Sequence, residues 1–231
     1  MTPLSIIAAE AEELAGLLDH LHQVRPLAWP LRYAIRAQLG ELPVILAANG
    51  PGPELACQAA RTVAEHFPSS LFLSTGFCGG LQPDLQVGEI VAASEIRGED
   101  GQHYRARLPQ TPLRSGLIYS SSRVACTHEE KDALRQTGAL AVEMEAASIA
   151  KVAQQAGQPF CCIRVVSDAW NEDLPLDFNC YRDAKGRFDR KRIAMAAAMQ
   201  PFHLLRPLLR FRNNCRRAAE KLGDFLASCR F

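Results

Sequence analysis

The sequence predicts a single-domain α/β fold, and three observations carry this prediction. Apolar runs of strand length alternate with segments whose apolar residues recur at helical spacing, a pattern typical of a sheet covered by helices on both faces. Of the 231 residues, 48% are hydrophobic and 22% are charged, as in globular proteins. A chain of this length buries enough surface to fold without a metal or a disulfide. We therefore expect a three-layer sandwich around a mixed, mainly parallel sheet over residues 1–231.

In the first third of the chain, apolar runs predict strands and helically spaced leucines predict a helix. A polar turn and the glycine–proline segment at 49–53 separate these elements. The predicted elements are a strand at 5–9, a helix carrying Leu14, Leu17, Leu18 and Leu21, a hairpin from 32–38 and 43–48, and a helix at 54–66.

The rest of the chain continues the alternation and ends in helices. The predicted elements are a strand at 71–75 that ends in a glycine turn at 76–80, strands at 89–96, 117–119, 139–142 and 160–167, a loop at 97–114, and a helix at 144–156. Residues 190–231 are expected to form a basic helical C-terminal segment.

Charge is distributed unevenly along the chain. Residues 182–231 carry a formal charge of +9 and the remainder carries −8, although the net charge is only +1. A basic block without interleaved aromatic residues is more typical of a solvated helix face than of a nucleic-acid site. We expect no nucleic-acid partner, and at most a weak membrane-surface contact through the basic C-terminal helix.

Cysteine usage points to a reducing compartment. The eight cysteines include no CxxC pair and no histidine at zinc-ligand spacing, so free thiols and no metal site are expected. Neither a signal peptide nor an apolar run of membrane-spanning length is recognisable. These observations predict a cytoplasmic protein.

Three segments directly follow predicted strands, where α/β sheets bind ligands. Backbone N–H groups of the glycine turn at 75–80 can hold an anion or a sugar hydroxyl. Glu143 and Glu145 stand at the start of a helix, and Ser167 and Asp168 at the exit of a strand. Each segment also has a structural explanation, namely a plain turn, a helix-dipole effect and a helix cap.

Taken together, these segments resemble a known enzyme family, the methylthioadenosine/adenosylhomocysteine nucleosidases. The motifs that carry the resemblance are Ser74–Leu81, Val87–Val91, Ala141–Ala146 and Ile163–Asp168. Beyond Asp168 the chain looks more like the hopanoid-associated phosphorylases. The resemblance implies a homo-oligomeric enzyme that cleaves the N-glycosidic bond of a purine, adenine-type nucleoside and needs no cofactor.

The resemblance also implies roles for individual residues. Asp168 would handle the proton at purine N7, Glu145 would accept hydrogen bonds from the ribose hydroxyls, and Met144 would pack against the sugar. Strand alternation would place Arg164 beside Asp168 and let it orient the acid. The full substrate-binding set is Phe77, Cys78, Gly79, Val124, Glu143, Met144, Glu145, Arg164 and Ser167. Val124 stands where the nucleosidases place a base-stacking phenylalanine.

The acceptor of the sugar is left open between water and phosphate. Hydrolysis needs a carboxylate near the end of the first strand, and both Glu10 and Glu13 are candidates. Phosphorolysis needs an anion site, for which the sequence offers only a weak backbone site and phosphate as a possible co-substrate. The residues of that weak site are Gly50, Gly52, Thr75 and Gly76.

Two alternatives compete with this interpretation. One is phosphorolysis of a lipid-linked, hopanoid-type adenosyl compound, suggested by the arginines and leucines of the C-terminal segment. The other is a protein that binds a nucleoside without turning it over.

Overall fold

A computed structural model gives the fold over residues 3–68 and 70–231, without the side chains of Pro201 and Phe202. Over these residues the chain forms ten strands and six α-helices. The strands are β1 (Leu4–Ala8), β2 (Leu21–Pro26), β3 (Tyr33–Leu39), β4 (Leu42–Ala48), β5 (Leu71–Gly80), β6 (Ile90–Gly98), β7 (His103–Arg105), β8 (Arg114–Ser120), β9 (Ala141–Glu143) and β10 (Phe160–Asp168). The helices are α1 (Ala15–Leu18), α2 (Pro53–His66), α3 (His128–Arg135), α4 (Ala146–Gln155), α5 (Arg190–Met199) and α6 (Arg206–Ser228).

The strands form one mixed sheet with β1 near its centre. Strand β1 pairs in parallel with β4 and β5, and β3 and β2 extend this side as antiparallel neighbours. On the other side β5, β9, β8, β6 and β10 pair in turn, and β10 pairs again with β5, so these five strands close on themselves. Because β1, β4, β5 and β10 run in the same direction, their carboxyl ends meet at one edge of the sheet.

Helices cover both faces of the sheet, which confirms the predicted α/β class. On one face α2 and α4 contribute Ala59, Val63 and Ile149 to an apolar cluster with the strands. On the other face α1 and α6 contribute Leu17 and Leu222 to a second cluster. None of the helices in the described ranges combines the length and hydrophobicity that crossing a membrane requires.

Some local predictions are wrong. Leu21 begins the edge strand β2 instead of closing a helix. The sequence did not indicate this strand, because β2 is exposed beyond its first residue and carries no apolar alternation. The expected loop at 97–114 contains β7. The glycine segment at 76–80 continues strand β5, with Gly76 at φ +137°, instead of forming a turn after it.

Helix α3 was not anticipated, although its start is readable in the sequence. The Thr127 hydroxyl accepts from the N–H of Glu130, and the Glu130 carboxylate accepts from the N–H of Thr127. This reciprocal pair is a capping box, which stabilises a helix of low apolar content.

Helices α1 and α6 cross at two glycines, and we predict that this crossing tolerates no side chain. A Cβ on Gly223 would lie 2.1 Å from the backbone carbon of Gly16 and 2.3 Å from the backbone nitrogen of Leu17. Because both clashes are with backbone, Gly223→Ala is expected to lower the free energy of unfolding by about 2 kcal/mol. Urea denaturation measures this change. Asn213→Ala, on the exposed side of the same helix, is the control, and equal stability of the two variants would contradict the prediction.

Candidate active site

A cavity of about 570 Å³ opens at the carboxyl ends of β5, β9 and β10. It brings together most of the residues that the sequence singled out, which are Glu10, Glu13, Phe77, Cys78, Gly79, Val124, Glu143, Met144, Glu145, Ser167 and Asp168. Arg164 and the four glycine-segment residues Gly50, Gly52, Thr75 and Gly76 do not line it. The cavity is therefore built from the three strand ends that the sequence indicated.

Glu13 reaches the cavity from the 3₁₀ turn at Ala11–Leu14, which follows β1. Its Oε2 accepts from the N–H groups of Ala9 at 2.8 Å and Glu10 at 2.9 Å, and its Oε1 accepts from the N–H of Phe77 at 2.9 Å. A Cβ on Gly76 would lie 2.5 Å from Oε1, so the carboxylate needs a glycine at this point of β5. Burial raises the pKa of Glu13, against the opposing effect of these N–H donors.

Glu10 lies at the rim of the same cavity, and its carboxylate is paired with arginines. Its carboxylate pairs with Arg32 at 3.4 Å and with Arg190 at 3.6 Å. Glu12 is mostly exposed and also pairs with Arg190, at 2.6 Å. Of the three N-terminal glutamates, the structure buries Glu13 against the strand ends and pairs the other two with surface arginines.

Glu143 and Arg164 form a buried ion pair beneath the cavity. The Glu143 Oε2 accepts from Arg164 and from the N–H groups of Glu145 at 2.9 Å and Ala146 at 2.8 Å. The guanidinium of Arg164 also donates to Ser74 Oγ at 2.8 Å. Glu143 thus caps the start of α4, and its charge stabilises that helix end.

The expectation that Arg164 orients Asp168 is wrong. Between Val166 and Asp168 the register of β10 against β5 shifts by a bulge, which breaks the alternation of side chains. Arg164 consequently contacts Glu143 and Ser74, and Asp168 is held by other groups.

Asp168 is buried at the end of β10 with both oxygens engaged. Its Oδ1 accepts from Ser167 Oγ at 2.6 Å, and its Oδ2 lies 2.6 Å from the ammonium of Lys131. A Cβ on Gly79 would lie 3.1 Å from Oδ2, so the backbone of β5 passes close to this oxygen. Lys131 is a residue that the sequence interpretation missed.

Glu145 is buried at the start of α4 and faces the glycine segment after β4. Its Oε1 accepts from the N–H of Gly52 at 2.7 Å. Burial, and then the negative charge of Glu143, raise the pKa of Glu145 to about 8. Met144, beside it, is also buried and lines the cavity.

The backbone donors proposed for phosphate are already in use. The N–H of Gly50 donates to Ala9 O at 2.8 Å, and that of Gly52 donates to Glu145. Gly76 lies against the Glu13 carboxylate, while Thr75 is buried and has no hydrogen-bond partner for its hydroxyl among the described residues.

An apolar wall from the C-terminal part of the chain completes the cavity, and no sequence motif indicated it. Its residues are Leu174, Phe178, Phe188, Ile193, Phe211 and Cys215. The ring of Phe178 lies 5.9 Å from that of Phe188 and 5.6 Å from that of Phe211. Aromatic side chains therefore face the cavity near Val124, where the sequence offered none.

The part of the chain that the structure describes contains no cluster of metal-ligating side chains. No group of three or more histidine, cysteine, aspartate or glutamate side chains there is arranged to hold a metal ion. The carboxylates of the cavity are instead engaged by backbone N–H groups and by cationic side chains.

A family model described as the phosphorylase superfamily matches residues 3–113 and 105–199. The chain belongs to the phosphorylase superfamily. The two matched ranges contain β1 to β10 and every residue of the site discussed above except Phe211 and Cys215 of α6. The match confirms the family resemblance that the sequence motifs indicated.

Curated members of the superfamily are similar to this chain over most of their length. A 5′-methylthioadenosine/S-adenosylhomocysteine nucleosidase from Tolumonas auensis is 27% identical over 215 residues, covering 80% of this chain and 94% of the relative. The enzyme of the same name from Shewanella piezotolerans is 29% identical over 209 residues, covering 77% and 91%.

Solved structures with nucleosidase names share the fold. The nucleosidase of Neisseria meningitidis, in complex with methylthio-immucillin-A, superimposes with a TM-score of 0.76 at 22% identity over 98% of this chain and 97% of that one. The enzyme from Streptococcus pneumoniae, with the transition-state inhibitor MT-ImmA, gives a TM-score of 0.75 at 21% identity over 98% and 97%. Within the superfamily, the predicted three-layer arrangement is therefore the observed one.

Proposed function

We propose that this protein hydrolyses the N-glycosidic bond of an adenine nucleoside, with Glu13 activating the water. The broader class, an enzyme that cleaves the N-glycosidic bond of a purine nucleoside, is confirmed by the superfamily match and by the nucleosidases among its relatives. The observation that carries the choice of water is the buried Glu13 carboxylate, which lines the cavity and is held by three backbone N–H groups.

The proposed reaction assigns one group to each side of the bond. As C1′–N9 breaks, its electron pair passes to the purine and positive charge develops on the ribose. Asp168 gives a proton to N7 and so stabilises the departing base, while water attacks C1′ and loses a proton to Glu13. The products are the free base and a sugar with a hydroxyl at C1′. A raised pKa suits Glu13 for this step, because a stronger base takes the proton of water more readily.

Phosphate is the less suitable acceptor in this geometry. A phosphate anion near Gly76 would approach the Glu13 carboxylate, and like charges at short range repel. The N–H groups of Gly50 and Gly52, which would otherwise attract an anion, already donate to Ala9 and Glu145. Water needs neither a cationic site nor free backbone donors.

The test of this proposal is base release with and without phosphate. The purified protein is incubated with adenosine, inosine, methylthioadenosine and adenosylhomocysteine, and free base is followed by chromatography. Release from adenine nucleosides at equal rates in both conditions is the expected result. Release only in the presence of phosphate, with a sugar 1-phosphate as product, would contradict the role of Glu13.

Glu145 is proposed to accept hydrogen bonds from the ribose 2′- and 3′-hydroxyls, and this predicts a pH dependence of KM. With its pKa raised to about 8, the carboxyl is mostly neutral at lower pH and a poorer acceptor. As pH rises through that value the carboxylate forms, so KM is expected to fall about tenfold between about pH 6.5 and about pH 8.5. Steady-state kinetics across this range measure the change, and Glu145→Gln should abolish it. A KM that is flat in the wild-type protein would refute the assignment.

The apolar wall supports an uncharged 5′-substituent such as the methylthio group named for the relatives. Neither alternative function, a lipid-linked adenosyl substrate or binding without turnover, is favoured by the comparisons. Homo-oligomer formation, a cytoplasmic location and the likeness of the C-terminal part to hopanoid-associated phosphorylases stay predictions. A weak membrane contact also stays a prediction. Its support is the exposure of Met195, Met199 and Leu209 among arginines of the C-terminal helices.

A further inference from the structure

Lys131 is a fully buried lysine whose ammonium points at the proposed acid. Besides the 2.6 Å contact with Asp168 Oδ2, it donates to the carbonyl oxygens of Ala169 at 2.9 Å and Glu172 at 2.7 Å. These partners use all three N–H bonds of the ammonium, which fixes its position. Lysine is almost never fully buried unless it is paired.

The location of Lys131 is costly for the fold. It stands in the first turn of α3, where the helix dipole disfavours a positive charge. Burial of an ammonium and a carboxylate also carries a desolvation penalty that an apolar pair of the same size would avoid. A chain that needed only packing between α3 and the end of β10 would be served better by an apolar residue.

We propose that Lys131 is a positioning residue for the general acid, holding Asp168 toward the base and neutralising the charge that Asp168 acquires on proton transfer. This role rests on the proposed function, because it presumes that Asp168 serves the leaving purine. Asp168 takes up a proton from solvent beforehand and enters the step as the carboxylic acid. When C1′–N9 breaks, this proton passes to N7, and the carboxylate left behind forms the contacts with the ammonium and the Ser167 hydroxyl that the structure shows. Lys131 keeps its own protons throughout, so the proton that N7 receives comes from the Asp168 oxygen.

Among the described residues, no other cation forms an ion pair with Asp168. The nearby Glu172 carboxylate is turned away, since it accepts from the N–H of Ala169 at 3.1 Å and pairs with Arg210 at 2.7 Å. Arg164, the cation that strand alternation suggested, is occupied by Glu143. The positioning role therefore falls to Lys131.

The experiment compares Lys131→Met with wild type on two leaving groups, adenine from methylthioadenosine and nitrophenolate from 4-nitrophenyl riboside. Nitrophenolate departs without a proton, so it needs no acid. We expect kcat for methylthioadenosine to fall about 10- to 100-fold, with KM within about threefold, and turnover of the nitrophenyl riboside to change less than about threefold. Lys151→Met, which removes an exposed lysine of α4, should leave both substrates unaffected.

A merely structural role gives a different pattern. Equal losses on both substrates, or a KM that rises as kcat falls, would overturn the proposal. If Lys131→Met does not fold because Asp168 is left unpaired, the double variant Lys131→Met/Asp168→Asn is compared with Asp168→Asn alone. Equal turnover of methylthioadenosine by these two supports the role, because Lys131 then acts only through Asp168, and a further loss in the double variant overturns it. Wild-type protein that releases no base would instead reject the proposed function, and this role with it.

Discussion

Replacement of Glu13 by glutamine is expected to lower kcat for base release by about 10²–10⁴, because the amide cannot take a proton from the attacking water. The side chain keeps its size, and its oxygen can still accept from the N–H of Phe77. The amide nitrogen then faces the N–H groups of Ala9 and Glu10, so a fall in Tm should accompany the loss of rate. KM should therefore change little, since the loss falls on the chemical step. Initial rates with methylthioadenosine, followed by chromatography of the base, measure both constants.

Glu12→Gln is the matched control, because Glu12 is a neighbouring glutamate that pairs at the surface with Arg190. It is expected to retain wild-type rates. The pH profile adds a second check: burial raises the pKa of Glu13, and a base must be ionised to work, so kcat/KM should fall on acidification at a pH above the usual range of glutamate. An unaltered kcat in Glu13→Gln would mean that Glu13 does not activate the water, and it would leave water and phosphate as equal candidates for the acceptor.

The position of Glu13 shows which part of the site could be predicted from the sequence. The sequence placed three glutamates after the first strand but left the register open between Glu10 and Glu13. The deciding feature is the 3₁₀ turn at Ala11–Leu14, which brings the carboxylate back to the N–H groups of Ala9 and Glu10. Hydrophobic periodicity does not predict such a turn, because the turn is shorter than the stretch of sequence over which a helical or strand pattern can be recognised.

The prediction that Arg164 orients Asp168 was wrong for a related reason. Side chains alternate along a strand until a bulge interrupts the register, and the register of β10 shifts between Val166 and Asp168. Arg164 and Asp168 therefore have different partners. The α/β class, most strands and the cavity residues from β5, β9 and β10 followed from apolar runs and motifs. Lys131 and the aromatic wall of Phe178 and Phe211 depend on tertiary packing of distant segments, which one sequence does not encode as a local pattern.

Asp168→Asn should have an effect of comparable size on the other side of the scissile bond. Asparagine fits the space and can donate to N7, but it cannot transfer a proton, so kcat for methylthioadenosine is expected to fall by about 10²–10⁴. The neutral side chain also leaves the ammonium of Lys131 buried without its anion, and a fall in Tm should accompany the loss of activity.

Two substrates separate these contributions. If Asp168 acts on the base, the variant should still cleave 4-nitrophenyl riboside at close to the wild-type rate, because nitrophenolate requires no proton. Cys180→Ser, a change at an exposed residue of the 3₁₀ turn Phe178–Tyr181, serves as the control for handling and stability. A loss of nitrophenyl riboside turnover as large as that of methylthioadenosine would mean that Asp168 supports the cavity as a whole, since only an acid that acts on the leaving base can distinguish the two substrates.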